Sequence, residues 1–236
     1  MIAALRVLLL VGYIPLAHLA DARASGTIAA MALGALVLTV LIEGLAQRRA
    51  AHWCALVVAS AALFWLSRTP YALMPLLLVP PLFTGLIAWW FARSLRRGRV
   101  PLVRKVVAAL YGIPADELSP RHRVYTRGLT AAWSCLLVLL TLLNIGLALV
   151  AVPNGLLAHA GIASQVTVTG EQWSFIANVA VYGVLGGFAT LEYFVRKLVF
   201  PVRPYANLID FARKMAALGP AFWRDFFRSD DVGAAR

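Results

Sequence analysis

The chain contains little charge and almost no cysteine. Only 14% of its 236 residues are Asp, Glu, Lys or Arg, whereas soluble domains carry about 25%. Hydrophobic residues make up 61% of the chain, and they collect in stretches of membrane-spanning length. This composition excludes a water-soluble globular enzyme and a disordered chain. Because there are only 2 cysteines, both in apolar segments, a disulfide-stapled secreted protein is excluded as well.

The motifs of common enzymes are also missing. The sequence has no pair of Asp-rich motifs to hold Mg²⁺ against a diphosphate and no glycine-rich phosphate loop. Its histidines are dispersed without metal-ligand spacing. Cys54 and Cys135 have no basic neighbour in sequence, so we interpret them as small hydrophobic residues. We therefore expect no catalytic residues, no metal and no cofactor, and the sequence favours a protein that is not an enzyme.

Long apolar segments recur along most of the chain. A helix needs about 20 apolar residues to cross a bilayer core about 30 Å thick. Six segments approach this length, so the sequence predicts an all-α, polytopic membrane protein with about six transmembrane helices. The predicted spans are Ile2–Ala20, Gly26–Ala46, Ala51–Leu66, Tyr71–Phe91, Leu129–Ala151 and Ser174–Val195. Pro75, Pro80 and Pro81 predict a kink in the fourth span.

The first span has an alternative interpretation. Residues 6–24 resemble a signal peptide with a small-residue cleavage site. We expect the segment to be retained, because apolar sequence resumes at Gly26 after a short hairpin loop.

The distribution of basic residues predicts the orientation of the spans. The formal net charge is +12, from 22 Lys and Arg against 10 Asp and Glu. Most of the basic residues fall in the segment between spans four and five or after span six, whereas the 152–173 loop contains none. Because basic residues collect on the cytoplasmic side of membrane proteins, both termini are predicted to be cytoplasmic. The same rule explains the positive charge without a nucleic-acid partner.

The predicted organisation has four parts. Residues 1–93 form four transmembrane helices, and residues 94–128 form a basic cytoplasmic loop with a short amphipathic helix that starts after Pro101. Residues 129–200 form two more transmembrane helices joined by the outer loop 152–173. Residues 201–236 form an amphipathic cytoplasmic tail with an aromatic and basic cluster. The residues of that cluster are Phe222, Trp223, Arg224, Phe226, Phe227 and Arg228.

Two interpretations of the basic loop stay open. Its candidate binding residues are Arg96, Arg97, Arg99, Arg104 and Lys105. They can anchor to anionic membrane lipid, at about 1 kcal/mol per basic residue near the surface. They can also form a docking face for an acidic partner such as an acyl carrier protein.

Ionisable residues within the spans suggest two ion pairs. Arg6 and Glu43 lie about equally far from the turn between the first two spans, so they can pair at similar depth. Arg196 follows Glu192 by four residues and therefore shares its helical face. Because these residues lie near the membrane interfaces, structural pairing is favoured over a proton or ion path. Trp173, at the outer start of span six, fits an interfacial aromatic belt.

Three stretches carry a resemblance to a known family. Residues 91–102 read F-x-R-S-L-x-x-G-x-x-P-L, residues 125–133 read Y-T-R-x-x-T-x-x-W, and residues 192–196 read E-Y-x-x-R. Together they resemble a family of small multi-pass bacterial inner-membrane proteins found in aryl-polyene and xanthomonadin-type pigment clusters. The resemblance covers about residues 70–200.

The resemblance implies an accessory or scaffold role in polyene lipid assembly at the bacterial inner (cytoplasmic) membrane. Such clusters encode acyl carrier proteins and polyketide enzymes, so the basic loop would dock carrier-bound intermediates. The remaining motif residues would form a structural cluster where spans five and six meet the cytoplasm. They are Tyr125, Arg127, Thr130, Trp133, Glu192, Tyr193 and Arg196. The alternative is a transporter or flippase subunit for a lipid or aromatic precursor, with the kinked fourth span as its moving part.

Overall fold

The computed structural model confirms the predicted all-α class. It describes residues 2–153, 155–176, 180–201, 204–219, 222–223 and 226. In chain order the elements are α1 (Ile2–Ala22), α2 (Gly26–Ala46), α3 (Ala50–Leu66), α4 (Met74–Ser94), α5 (Leu102–Tyr111), α6 (Pro120–Val150), β1 (Ala151–Val152), α7 (Leu156–His159), β2 (Val168–Thr169), α8 (Gly170–Phe175), α9 (Val181–Val199) and α10 (Leu208–Ala217). The two short strands pair in parallel, with Ala151 opposite Val168.

Four helices of the described chain are long and apolar enough to cross a membrane: α1 from Ala4 onward, α2, α4 and α6. α3 is apolar but has only 17 residues. Large apolar side chains project outward along these helices, among them Val40, Leu82 and Leu139. Exposed apolar surface of this extent is expected where a helix faces lipid, and it would be costly in water. The chain is therefore a helical membrane protein with several helices of spanning length.

α6 begins earlier than the sequence predicts. Residues 120–128, predicted as part of the basic loop, are helical and continuous with the fifth predicted span. The Ser119 hydroxyl accepts a hydrogen bond from the His122 N–H at 3.4 Å, which caps the new helix start. Pro120 suits the first helical position, because the N–H that proline lacks has no partner there in any helix. The helix thus extends beyond the apolar stretch.

The fourth predicted span also starts at a different place. α4 begins at Met74, after a turn that contains Tyr71. Pro75 therefore lies in the first helical turn, where its missing N–H costs no hydrogen bond, and it does not interrupt the helix. Only Pro80 and Pro81 lie in the helix interior.

The predicted outer loop 152–173 contains short elements of its own. β1 continues into it, and α7, β2 and the start of α8 follow. α8 begins with a capping box, in which the Thr169 hydroxyl accepts from the Gln172 N–H at 3.3 Å and the Gln172 side chain accepts from the Thr169 N–H at 3.1 Å. These two hydrogen bonds fix the first turn of α8.

Trp173 is a core residue. Its exposed fraction is 8%, and it packs in a cluster with Leu77, Leu147, Ala148 and Ala151. The ring packs against α4 and α6 residues of the same unit, and its place at the membrane interface stays a prediction. The predicted span Ser174–Val195 contains the end of α8 and most of α9, and its residues 177–179 lie outside the described residues.

The chain divides into two compact units. The first comprises Met1–Leu82 and Leu143–Val181. Within it α1 packs on α2 and α2 on α3, around a cluster of small and aliphatic residues. The buried members of that cluster are Ala20, Ala29, Ala32, Leu73 and Leu76. Small side chains let helices approach closely, which is how membrane helices gain packing energy.

The predicted pair between Arg6 and Glu43 is present in the first unit. The Arg6 guanidinium donates to the Glu43 carboxylate at 2.9 Å. The pair joins α1 to α2.

The second unit comprises Phe83–Leu142 and Tyr182–Arg236. It contains α5, whose Val107 and Ala108 pack against Leu118. In the tail, Phe222, Trp223 and Phe226 contact one another with ring centroids 5.2–5.7 Å apart. The other members of the predicted aromatic and basic cluster, Arg224, Phe227 and Arg228, lie outside the described residues.

Candidate functional site

The amphipathic helix α5 is fastened to the end of α4. Its first N–H groups have no partner within the helix, and the N-cap residue Pro101 offers no side chain to accept from them. The hydroxyl of Ser94 accepts from the Leu102 N–H at 3.2 Å instead. The same hydroxyl donates to the Phe91 carbonyl at 2.7 Å within α4. Ser94 thus satisfies the start of α5 while remaining bonded to its own helix.

A second hydroxyl fastens α5 to α6 in the same way. Thr130 is fully buried, and its hydroxyl accepts from the Val103 N–H at 3.3 Å. That hydroxyl also donates to the Thr126 carbonyl at 2.7 Å. Ser94 and Thr130 lie within the motif stretches 91–102 and 125–133, respectively. The first turn of α5 is fixed from two sides.

Arg104 lies on this fastened helix among other cations. It donates to the Arg123 carbonyl at 3.2 Å. Burial lowers the pKa of Arg104 from its ordinary value, and the nearby charges of Arg123 and Arg127 lower it further. Arg127 in turn donates to the Leu95 carbonyl, just past the end of α4, at 3.0 Å. Arg104 thus bonds to a backbone carbonyl of α6, and Arg127 bonds to one in the α4–α5 turn.

The five predicted binding residues differ in accessibility. Arg96 and Arg97 are exposed in the turn after α4, whereas Arg99, Arg104 and Lys105 are half-buried. The turn passes through Gly98 at φ +80°, a backbone conformation that glycine adopts without strain. Arg96 and Arg97 are therefore the residues that a partner can reach first.

The structure brings three of the motif residues together in a cluster between α6 and α9. Glu192 is buried, and its carboxylate accepts from the Tyr125 hydroxyl at 3.1 Å and from the Arg196 guanidinium. The Arg196 guanidinium also lies 5.9 Å from the ring centroid of Tyr205 and 5.3 Å from that of Phe211. Cation–π contacts of this kind stabilise a guanidinium that has lost water. The carboxylate charge is therefore neutralised inside the cluster.

The remaining motif residues have other partners. Trp133 packs edge-on against Phe188 at 4.7 Å and lies 6.4 Å from Phe91. Tyr193 contacts the neighbouring Phe194 at 5.7 Å. Thr130 and Arg127 contact the α5 side, as described above. Of the seven motif residues, Tyr125, Glu192 and Arg196 thus form one cluster, whereas the other four have separate partners.

Two residues that the sequence analysis missed complete the Glu192 cluster. The ring of His122 stacks on Phe200 with centroids 4.0 Å apart, and Tyr125 meets Phe200 edge-on at 5.2 Å. The Ser119 hydroxyl is 2.8 Å from Nδ1 of His122. His122 and Phe200 are far apart in sequence, so no local pattern signals the contact.

The space enclosed by the Glu192 cluster is small. It is about 20 Å³, which is room for one water molecule, and its lining includes His122, Tyr125, Glu192 and Arg196. A buried, neutralised carboxylate with no room for a substrate fits a structural role. Within the described residues, no three His, Cys, Asp or Glu side chains stand together as metal ligands would.

The described residues form a helical membrane protein with two exposed arginines, Arg96 and Arg97, next to an amphipathic helix that is bonded to α4 and α6. No protein-family model, no curated protein sequence and no solved structure matches this chain.

Proposed function

We propose that the chain is an integral membrane scaffold without enzymatic activity of its own, which docks acidic, carrier-bound intermediates of polyene lipid assembly. The observation that carries this proposal is the exposure of Arg96 and Arg97 beside α5, whose first turn is bonded to both α4 and α6. The polyene context comes from the resemblance of the three motifs to the pigment-cluster family. A scaffold of this kind needs a fixed docking face and no catalytic residues.

The proposed topology has six spans with both termini in the cytoplasm of a bacterium. α3 is about 25 Å long, so it can cross the bilayer if Arg49 and Arg68 extend toward the headgroups at its ends. α9 is the sixth span, and the Arg196 contact offsets the cost of placing Glu192 near the membrane. In this orientation the basic segments 94–128 and 201–236 face the cytoplasm of an inner-membrane protein.

Electrostatics and geometry together favour a protein partner. A basic patch attracts acidic partners and accelerates their encounter, and it also attracts anionic lipid headgroups. Lipid attraction requires only charge near the surface. The hydrogen bonds that Ser94 and Thr130 accept from the first turn of α5 fix its orientation, which supports recognition of a partner with a complementary shape. An acyl carrier protein has the required acidic surface.

A charge-reversal experiment tests the docking proposal. The variant Arg96→Glu/Arg97→Glu is compared with Lys197→Glu/Arg213→Glu, which makes the same change in net charge at exposed residues outside the α4–α5 turn. Full-length protein in nanodiscs is titrated with a purified acyl carrier protein of the polyene type, at low and at high salt. We expect at least a tenfold loss of affinity in the first variant and a small loss in the control. Equal affinity in both variants refutes the docking face.

A transporter or flippase subunit is the second candidate function. The division between the two units crosses α4 between Leu82 and Phe83, directly after Pro80 and Pro81. α4 is continuous here, but prolines in a helix interior remove backbone hydrogen bonds, so this part of α4 can serve as a hinge.

Thiol accessibility separates a transporter from a scaffold. A single cysteine is introduced by Leu82→Cys in a background that lacks the exposed Cys54 and Cys135. A transporter shows two accessibilities of this thiol to membrane-impermeant reagents, which change with the transported precursor. A scaffold shows one accessibility under all conditions.

A further inference from the structure

An apolar groove of about 230 Å³ runs along α4 and α6 in the second unit. From α4 it is lined by Gly85, Ala88, Trp89 and Ala92. From α6 it is lined by Val138 and Leu142, with Thr141 at its base. The surface that these described residues present to the groove is wholly apolar. Such a surface fits a hydrocarbon chain.

The groove owes its depth to small residues and a satisfied hydroxyl. Glycine and alanine on α4 leave the space open, and a methyl group at Gly85 would meet the Thr141 methyl at 3.2 Å. The Thr141 hydroxyl donates to the Leu137 carbonyl at 2.7 Å and lies 3.1 Å from the Thr84 hydroxyl. The Thr141 hydroxyl therefore already has hydrogen-bond partners and needs none from a molecule in the groove.

The groove lies in the half of α4 that leads to the basic turn. Gly85 to Ala92 spans about 10 Å along the helix axis. One leaflet of a bilayer core is about 15 Å thick. The groove is therefore shorter than one leaflet, and it fits the part of an acyl chain nearest the headgroup in the leaflet next to the basic turn.

Arg93 lies near the end of the groove that is closer to the basic turn. The Arg93 guanidinium lies 5.1 Å from the ring centroid of Trp89, which itself lines the groove. Arg93 follows Ala92 directly and occupies the last turn of α4. A guanidinium at this depth can donate charge-assisted hydrogen bonds to a phosphate. An apolar channel that ends at a cation is complementary to a lipid with an acidic headgroup.

We propose that this groove binds one acyl chain of an anionic phospholipid, with the lipid phosphate at Arg93. Neither carrier docking nor transport requires this site, so the inference goes beyond the proposed function. A helix from a second copy of the chain is the rival occupant, because small residues also favour helix packing. The lipid is favoured because a second helix over the groove would bury Arg93 and the exposed ring of Trp89, and would remove the guanidinium from water.

Photolabelling of the full chain tests the site. The probe is phosphatidylglycerol with a diazirine near the carboxyl end of one acyl chain, and phosphatidylcholine with the same chain is its zwitterionic match. Each is a minor component of phosphatidylcholine vesicles that contain the protein, and labelled peptides are mapped by mass spectrometry. We expect labels to concentrate on peptides that contain Trp89, Val138 and Leu142. Phosphatidylglycerol should label them about fivefold more than phosphatidylcholine, as one cation at the surface gives.

Four variants separate the chain site from the headgroup site. Ala92→Trp fills the groove and should remove the concentrated label, whereas Ala132→Trp, at an exposed alanine of α6 that does not line the groove, should leave it intact. Arg93→Gln should abolish the preference for phosphatidylglycerol and leave chain labelling in place. Val138→Trp fills the groove from the other helix and repeats the test if Ala92→Trp inserts poorly.

Three results would overturn the proposal. One is a label spread evenly over the outward-facing residues of α4 and α6, unaffected by either filling variant. Another is equal labelling by the two lipids in the unaltered protein. The third is a crosslink between two copies of the chain at Val138, which would assign the groove to a dimer.

Discussion

Replacement of Thr130 by valine should loosen the first turn of α5. Thr130 is fully buried, and valine keeps its shape while it removes the hydroxyl that accepts from the Val103 N–H at 3.3 Å. A donor left without a partner in a buried place costs about 1–3 kcal/mol. Because 1.4 kcal/mol corresponds to a factor of ten, the opening equilibrium of this turn should rise about 5- to 150-fold.

Hydrogen–deuterium exchange measures this opening directly. The full-length protein is exchanged in nanodiscs, and the amides of residues 102–105 are compared with those of α6. Faster exchange should be confined to the first turn of α5. Thr141→Val is the matched control, because its hydroxyl bonds only within α6 and to Thr84. If exchange in residues 102–105 is unchanged in Thr130→Val, or equally fast in the control, the attachment of α5 through Thr130 is refuted.

Three further predictions concern other parts of the molecule. Glu192→Gln leaves the Arg196 charge without its carboxylate in a buried cluster and should lower the free energy of unfolding by about 3 kcal/mol. Denaturant titration in mixed micelles measures this loss, and removal of both charges should recover most of the lost stability. Trp173→Ala removes a core ring and should lower the free energy of unfolding by about 3–5 kcal/mol in the same assay. A loss below about 0.5 kcal/mol would show that the ring is not part of the core. A hydrogen bond from the Ala206 N–H, at 2.9 Å, holds the pKa of Asp210 below its usual range. That contact should be complete above pH about 4 and lost as the pH falls through the lowered pKa of the folded state, as followed by the amide shift of Ala206; in Asp210→Asn the shift should not titrate in this range.

Contacts within one helix or one hairpin could be predicted from the sequence. Arg196 follows Glu192 by one turn, so the helical period alone places the two charges on one face. Arg6 and Glu43 flank a short turn at equal distances, so the hairpin brings them to one depth. In both cases a single local geometry determines the contact, and the structure shows both pairs.

Contacts between distant segments required the structure. The residue at which α6 starts depends on Ser119 and Pro120, whose capping signal is visible in the sequence but was outweighed by the polar composition of residues 120–128. The burial of Trp173 follows from the direction of α8, and an aromatic residue at the end of an apolar run gives no indication of that direction. The hydrogen bonds that Ser94 and Thr130 accept from α5 join three helices. The periodic pattern of any one helix therefore does not predict them.

The attachment of α5 determines which residues of this region can change without moving the helix. Both hydroxyls that position the helix belong to the long apolar helices, and both accept from backbone groups of α5. The side chains of residues 96–99 take no part in those two bonds. Substitutions in this turn can therefore alter charge and specificity while α5 stays in place. The hydrogen bonds that hold α5 and the exposed charges of the turn are therefore separable, so related chains can present different charges on the same three helices.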